Sequence, residues 1–160
     1  ALTLLDEYDN LLVVRTYSKS RSMAGLRIGY AIGGEELIKA LNDVKYSYNS
    51  YTMNMAAIEL GTAVLADKDY FTETVAKIVN TRENAKVREL GFTFPDSKTN
   101  FIFARPSRIT AKELFEELKK RNIYVRYFTG DRVKDHLRIT IGTDEEMERF
   151  YEAVREIQGA

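Results

Sequence analysis

Cysteine is absent from the chain, which excludes a disulfide framework, a thiolate metal site and a cysteine nucleophile, and leaves the redox compartment open. His136 is the only histidine and by itself makes neither a metal site nor a triad, so it reads as a structural residue. Two prolines leave no obvious hinge, and no internal repeat or low-complexity tract is present. No apolar run approaches the roughly 20 residues needed to cross a bilayer, and no basic segment precedes a short apolar one at the start. The default expectation is a cytoplasmic protein without a membrane partner. Charge of one sign is missing as well: 24 basic residues face 24 acidic ones, so no long-range field draws nucleic acid. Any anion binding must be local.

What is present suffices for folded units, since 160 residues with 44% hydrophobic content can bury roughly 70% of the unfolded surface. The chain starts at Ala1 without an initiator methionine and runs at once into a stretch that reads as an interior strand. This predicts a piece of something longer.

Residues 11–16 (LLVVRT) and 26–32 (LRIGYAI) are short apolar runs rich in β-branched residues, and both are predicted as buried strands. Between them Ser18, Ser20, Ser22 and Gly25 favour a loop. Leu37, Ile38, Leu41 and Val44 have the spacing of one helical face, which completes a strand, loop, strand, helix unit. Residues 46–52 (YSYNSYT) show no clear period and read as a connection. Their tyrosines could line a cleft, form a subunit contact or edge a core. A long helical region is predicted over 52–90, broken near Ala66–Asp69 and ended by Gly91 as a left-handed cap. Beyond it, 99–104, 123–128 and 137–141 read as strands. Thr110 with Glu113, and Thr143 with Glu146, form capping boxes that open two helices.

The stretch 16–30, TYSKSRSMAGLRIGY, concentrates the chemistry. Serine hydroxyls, loop amides and the planar fork of Arg27 could together hold a phosphate. Lys19, if desolvated beside it, could act as a neutral amine toward a carbonyl. A lysine flanked by serines is also what an ordinary solvated loop looks like. On the strands, Arg138 shares a face with Thr140, and Arg126 shares one with Tyr124 and Phe128, each opposite an apolar face. Two such cations on one sheet repel unless an anion lies between them or acids such as Asp131, Asp135 or Glu145 pair with them.

Thr16, Tyr17, Ser18, Lys19, Ser20, Arg21, Ser22 and Gly25, followed by GLRIGY, resemble the lysine signature of class II pyridoxal-phosphate-dependent aminotransferases. Within that superfamily the chain is most similar to the histidinol-phosphate aminotransferases. NSYTMN at 49–54, Thr99-Asn100-Phe101 and HLRITIGT at 136–143 continue the likeness. The resemblance implies an α/β chain forming the C-terminal part of a fold type I enzyme: two strands and a helix of the large domain, plus a small α+β domain whose short antiparallel sheet packs on helices. In residues, this is a large-domain remnant over 1–45, a connecting helical region over 46–91 and the small domain over 92–160.

By the same resemblance, Lys19 would join pyridoxal 5'-phosphate as a Schiff base, and Ser18 and Arg27 would hold its phosphate. Arg138 would take the substrate α-carboxylate and Arg126 the distal phosphate of histidinol phosphate. Asn100 would orient substrate or bond a neighbouring strand. The implied reaction is transamination between an amino acid or amino phosphate and a keto acid, in a homodimer serving histidine biosynthesis. A threonine-phosphate decarboxylase, an aromatic or aliphatic aminotransferase, and a non-catalytic domain of a regulator are the alternatives. Only 18 residues precede Lys19, too few for the family's ring-stacking aromatic and its aspartate at the pyridine nitrogen. Asp6, Glu7 and Tyr8 lie too close to Lys19 to serve. The 160 residues alone are therefore expected to be inactive.

Overall fold

The computed structural model describes residues 1–159, which divide into two compact units, Ala1–Glu73 and the residues from Thr74 onward. In the first unit, β1 (Leu12–Thr16) pairs antiparallel with β2 (Gly29–Gly33), from Leu12 opposite Gly33 to Thr16 opposite Gly29. The link between them is a single helical turn, α1 (Tyr17–Ser20), followed by a 3-10 turn over Ala24–Leu26. The second strand was expected from Leu26, but Arg27 sits at φ 57, and a left-handed residue cannot continue an extended ladder. Burial also differs from expectation. Val13 and Ile28 are buried, whereas Val14 is 66% and Ile32 36% exposed. A two-stranded ribbon buries only the side chains on which the chain itself lays a further element.

Helix α2 (Glu35–Tyr48) starts after Gly34 with Glu35 and Glu36 in its first turn, where the helix dipole favours acids. It runs through Tyr46–Tyr48, which were expected to be a connection. What stops it is Asn49, whose side-chain oxygen accepts the Tyr51 amide at 3.2 Å and offers the backbone a local alternative. The predicted long helical region is two helices, α3 (Met55–Ala66) and α4 (Lys68–Glu83). Asn54 caps the first by accepting the Ala57 amide at 2.8 Å, and Asp67 accepts the Tyr70 amide at 3.1 Å at the start of the second.

In the second unit the helix ends at Glu83, short of the predicted Leu90. Gly91 is indeed left-handed, at φ 81, but it closes the separate turn 87–91. Its amide donates to Arg88 and that of Phe92 to Val87, a paired closure that buries Val87 with Phe92. The sheet has the order β3 (Phe92–Thr93), β4 (Phe101–Pro106), β6 (Leu137–Thr140), β5 (Arg126–Tyr127), with every pairing antiparallel. The strand predicted over 123–128 shrinks to two residues. Asn122 at φ 58 ends α5 (Ala111–Lys120), and the Ile123 amide is turned back to Leu118. Both predicted capping boxes form, Thr110 with Glu113 on α5 and Thr143 with Glu146 on α6 (Asp144–Gln158). One face of the sheet, through Ile102, Ala104, Leu137 and Ile139, is buried with Leu114 and Leu118 of α5 and Met147, Phe150 and Val154 of α6. The opposite face carries Phe101, Phe103, Arg138 and Thr140.

Candidate active site

Lys19 sits on α1, a turn held by backbone bonds on both sides. The Tyr17 amide donates to the Ile28 carbonyl at 3.0 Å, and the Arg21 and Met23 amides both donate to the Tyr17 carbonyl at 3.1 Å. Antiparallel pairing of β1 with β2 thus brings both ends of the loop together and presents Lys19 at the end of the hairpin. Its side chain is exposed, so the desolvation considered for it is not supplied by residues of its own unit. No carboxylate pairs with it among the described residues.

Ser18 is half-buried, while the Ser20 hydroxyl is turned back on the Thr16 carbonyl at 3.0 Å. Arg27 is exposed, and one guanidinium nitrogen donates to the Ala24 carbonyl at 3.2 Å. Its left-handed backbone is a costly conformation for a residue with a Cβ, and such strain collects at functional loops. Ser22, at φ 55, is the second such residue in the loop.

Arg21, between Ser20 and Ser22 in the same loop, has partners that sequence reasoning passed over. The Arg21 guanidinium is 3.8 Å from the centre of the Phe71 ring and donates to the Val64 carbonyl at 3.3 Å. In sequence it was one of several permitted positions of a motif. Nothing in the local pattern names Val64 or Phe71 as its partners. Gly61 of α3 is buried, and a Cβ there would come within 2.9 Å of Ile28 Cδ1.

In the second unit Arg126 and Arg138 face each other directly across the β5–β6 ladder, and Phe103 faces Arg138 from β4. Directly opposed residues have Cα atoms about 5 Å apart. Neither guanidinium is paired to a carboxylate among the described residues: Asp131 pairs with Lys134 at 2.9 Å, and Asp135 lies 3.8 Å from Arg105. Aromatic rings flank them instead, with Phe128 5.7 Å from Arg126 and 6.0 Å from Arg138, and Phe101 5.4 Å from Arg138. Ring faces attract cations but do not cancel their charge. The result is a dication on one rung, open to an anion.

Asn100 lies in the bend immediately before β4, three residues ahead of Phe103. Its backbone carbonyl accepts the Ile141 amide at 2.9 Å. His136 stacks on Phe103 with ring centres 4.7 Å apart and planes 8° apart, leaving Nδ1 buried without a partner.

The donor set of the first unit fits an aldehyde that carries a phosphate. Among the described residues it offers a primary amine without an acidic partner, a half-buried Ser18 hydroxyl and an arginine fork with one hydrogen bond, to the Ala24 carbonyl.

A family model described as aminotransferase class I and II matches residues 1–154. Histidinol-phosphate aminotransferase of Brachyspira hyodysenteriae is 51% identical over 159 residues, covering 98% of this chain and 45% of the relative. That of Clostridium acetobutylicum is 47% identical over 158 residues, with the same 98% and 45% coverage. The crystal structure of histidinol-phosphate aminotransferase from Sinorhizobium meliloti in complex with pyridoxal-5'-phosphate superposes with a TM-score of 0.82 at 26% identity. It covers 94% of this chain and 42% of that one. The chain therefore spans less than half the length of these relatives, and its mixed α/β architecture corresponds to about half of a fold type I aminotransferase. With the family model matched over nearly its whole length, the chain belongs to the class I and II aminotransferases.

Proposed function

We propose that the chain is part of a pyridoxal-phosphate-dependent aminotransferase that exchanges an amino group between histidinol phosphate and 2-oxoglutarate or glutamate. The observation that carries the reading is the Lys19 turn: an exposed amine without an acidic partner among the described residues, on a hairpin end that also bears Ser18 and Arg27. Lys19 would hold the cofactor through its aldehyde carbon, with loss of water, and as a free amine would be the base for the proton on the substrate α-carbon. Ser18 and Arg27 would hold the cofactor phosphate through a hydroxyl and a guanidinium fork. When bound, the cofactor supplies an electron sink conjugated with the substrate α-carbon.

Arg138 and Arg126 are the anion-binding residues for substrate. Their shared rung suits a phosphate on the amino donor and a carboxylate on the acceptor, each delocalised and able to accept from two forks. Asn100 is a further residue at the substrate end. The names of the relatives at 51% and 47% identity support histidinol phosphate over other donors.

The test is a pair of measurements. A visible absorbance band on adding pyridoxal phosphate, lost in Lys19→Ala, is expected of the chain. In a protein with the length of its relatives, histidinol phosphate with 2-oxoglutarate should yield glutamate. Release of CO2 from a phosphorylated amino acid, with no glutamate formed, would instead identify a decarboxylase. The 160-residue chain alone is expected not to turn over.

A further inference from the structure

Two arginines follow Lys19 in the same loop, and their surroundings differ in kind. Arg27 is exposed, and its guanidinium donates to the loop's own Ala24 carbonyl. Arg21 is half-buried and reaches out of the loop to two other elements. Its guanidinium bonds the Val64 carbonyl, among the last four of α3, where unsatisfied carbonyls and the helix dipole both favour a cation. Its guanidinium carbon lies over the ring of Phe71 in the first turn of α4, 3.8 Å from the ring centre. Its backbone amide closes α1 onto the Tyr17 carbonyl. One residue therefore closes the turn that carries Lys19 and ties that turn to the corner where two helices meet.

A second contact fixes the same turn against α3. Gly61, one helical turn before Val64, lets Ile28 Cδ1 and Tyr17 Cε2 lie against the α3 backbone. The Tyr17 amide is bonded to Ile28 in turn. Ser22, next to Arg21, adopts the left-handed region, so the chain leaves the turn through a strained residue. Strain of this kind persists only where surrounding contacts over-determine it. The contacts here are those of Arg21 and Met23.

We infer that Arg21 is a positioning residue for the reactive lysine: it holds the α1 turn against the α3–α4 corner and is not itself an anion ligand. The inference rests on the reading of Lys19 as the cofactor-binding amine. Lysine cannot replace Arg21, because the contact needs a donor aimed at Val64 and a flat face on Phe71 at the same time.

The experiment uses the full chain with pyridoxal phosphate as the probe. Adducts are fixed with borohydride, and labelling is mapped to individual lysines by mass spectrometry. The readout is labelling at Lys19 relative to the other lysines, with folding followed separately by circular dichroism and urea unfolding. Arg21→Met keeps an unbranched stem over Phe71, removes the fork and guards against a simple loss of folding. It is expected to lower relative labelling at Lys19 by roughly tenfold while the urea midpoint stays near wild type, as is Arg21→Lys. Phe71→Leu should lower it in the same direction, and the double variant with Arg21→Met should be no worse than the worse single. Wild-type labelling at Lys19 in both Arg21 variants would overturn the inference and leave the lysine reading standing. Absence of preferential Lys19 labelling in the wild type would overturn the lysine reading, and the positioning role with it.

Discussion

At the residue scale, what sets the arginines apart is whether a side chain's charge is answered by the protein. Arg82 and Arg121 both pair with carboxylates. Among the described residues Arg126 and Arg138 have no such partner, although they stand opposite each other on one rung. A fold gains nothing from such a pair in the absence of an anion, because directly opposed like charges destabilise a ladder. Arg138→Ala should therefore weaken binding of an anionic substrate while leaving the fold intact. Charge-assisted hydrogen bonds contribute about 1.5–3 kcal/mol, so the expected loss is on the order of ten- to a hundredfold in affinity, read by titration or as a rise in KM. Arg126→Ala should behave alike, and its unfolding midpoint should not fall.

At the element scale, two devices can be tested separately. The capping box of α5 uses Glu113, whose carboxyl is held below the ordinary glutamate value of 4.5, first by the Thr110 hydroxyl and then by the Thr110 backbone amide. Because the folded value lies below the unfolded one, this contribution is fully present above about pH 4.5 and is lost as pH falls through the lowered value. Urea midpoints measured from pH 6 down to pH 3 should drop less in Glu113→Gln than in wild type, since glutamine can serve in the box without titrating. The second device is the close approach of α3 to the lysine turn. Gly61→Val inserts branched carbon where even a single Cβ meets Ile28 at 2.9 Å, and overpacking of this kind costs about 1–3 kcal/mol. Gly25→Ala, with nothing within 4 Å, is the control and should be near neutral.

At the scale of the whole chain the core is unequally shared. The main buried cluster runs from Val87 to Val154, entirely within the second unit, and closes one sheet face with two capped helices. The first unit buries only Val13, Ile28, Ala57 and Gly61, while α3 leaves Met55 70% exposed and Ile58, Leu60 and Leu65 nearly half exposed. An almost wholly apolar helix is normally covered on every side. Residues 74–160 expressed alone should thus unfold cooperatively in urea, and residues 1–73 alone should show no sigmoidal transition. A cooperative transition in the shorter piece would contradict the account of where the core lies.

Local rules accounted for much of this protein from the sequence alone. Both capping boxes, the left-handed Gly91, the break near Asp67 and the alternation that sets Arg138 opposite the buried face of its strand all depend on residues within a few positions of one another. The lysine signature was legible for the same reason, being a contiguous string. Tertiary structure decided the rest. The start of β2 depends on a left-handed Arg27, and the brevity of β5 on how α5 is closed by Asn122. The opposition of Arg126 to Arg138 depends on strand order, since β5 and β6 pair at a register no local pattern states. The partners of Arg21 are 43 and 50 residues away. A side chain's reach across the fold is set by packing, and packing has no period along the chain.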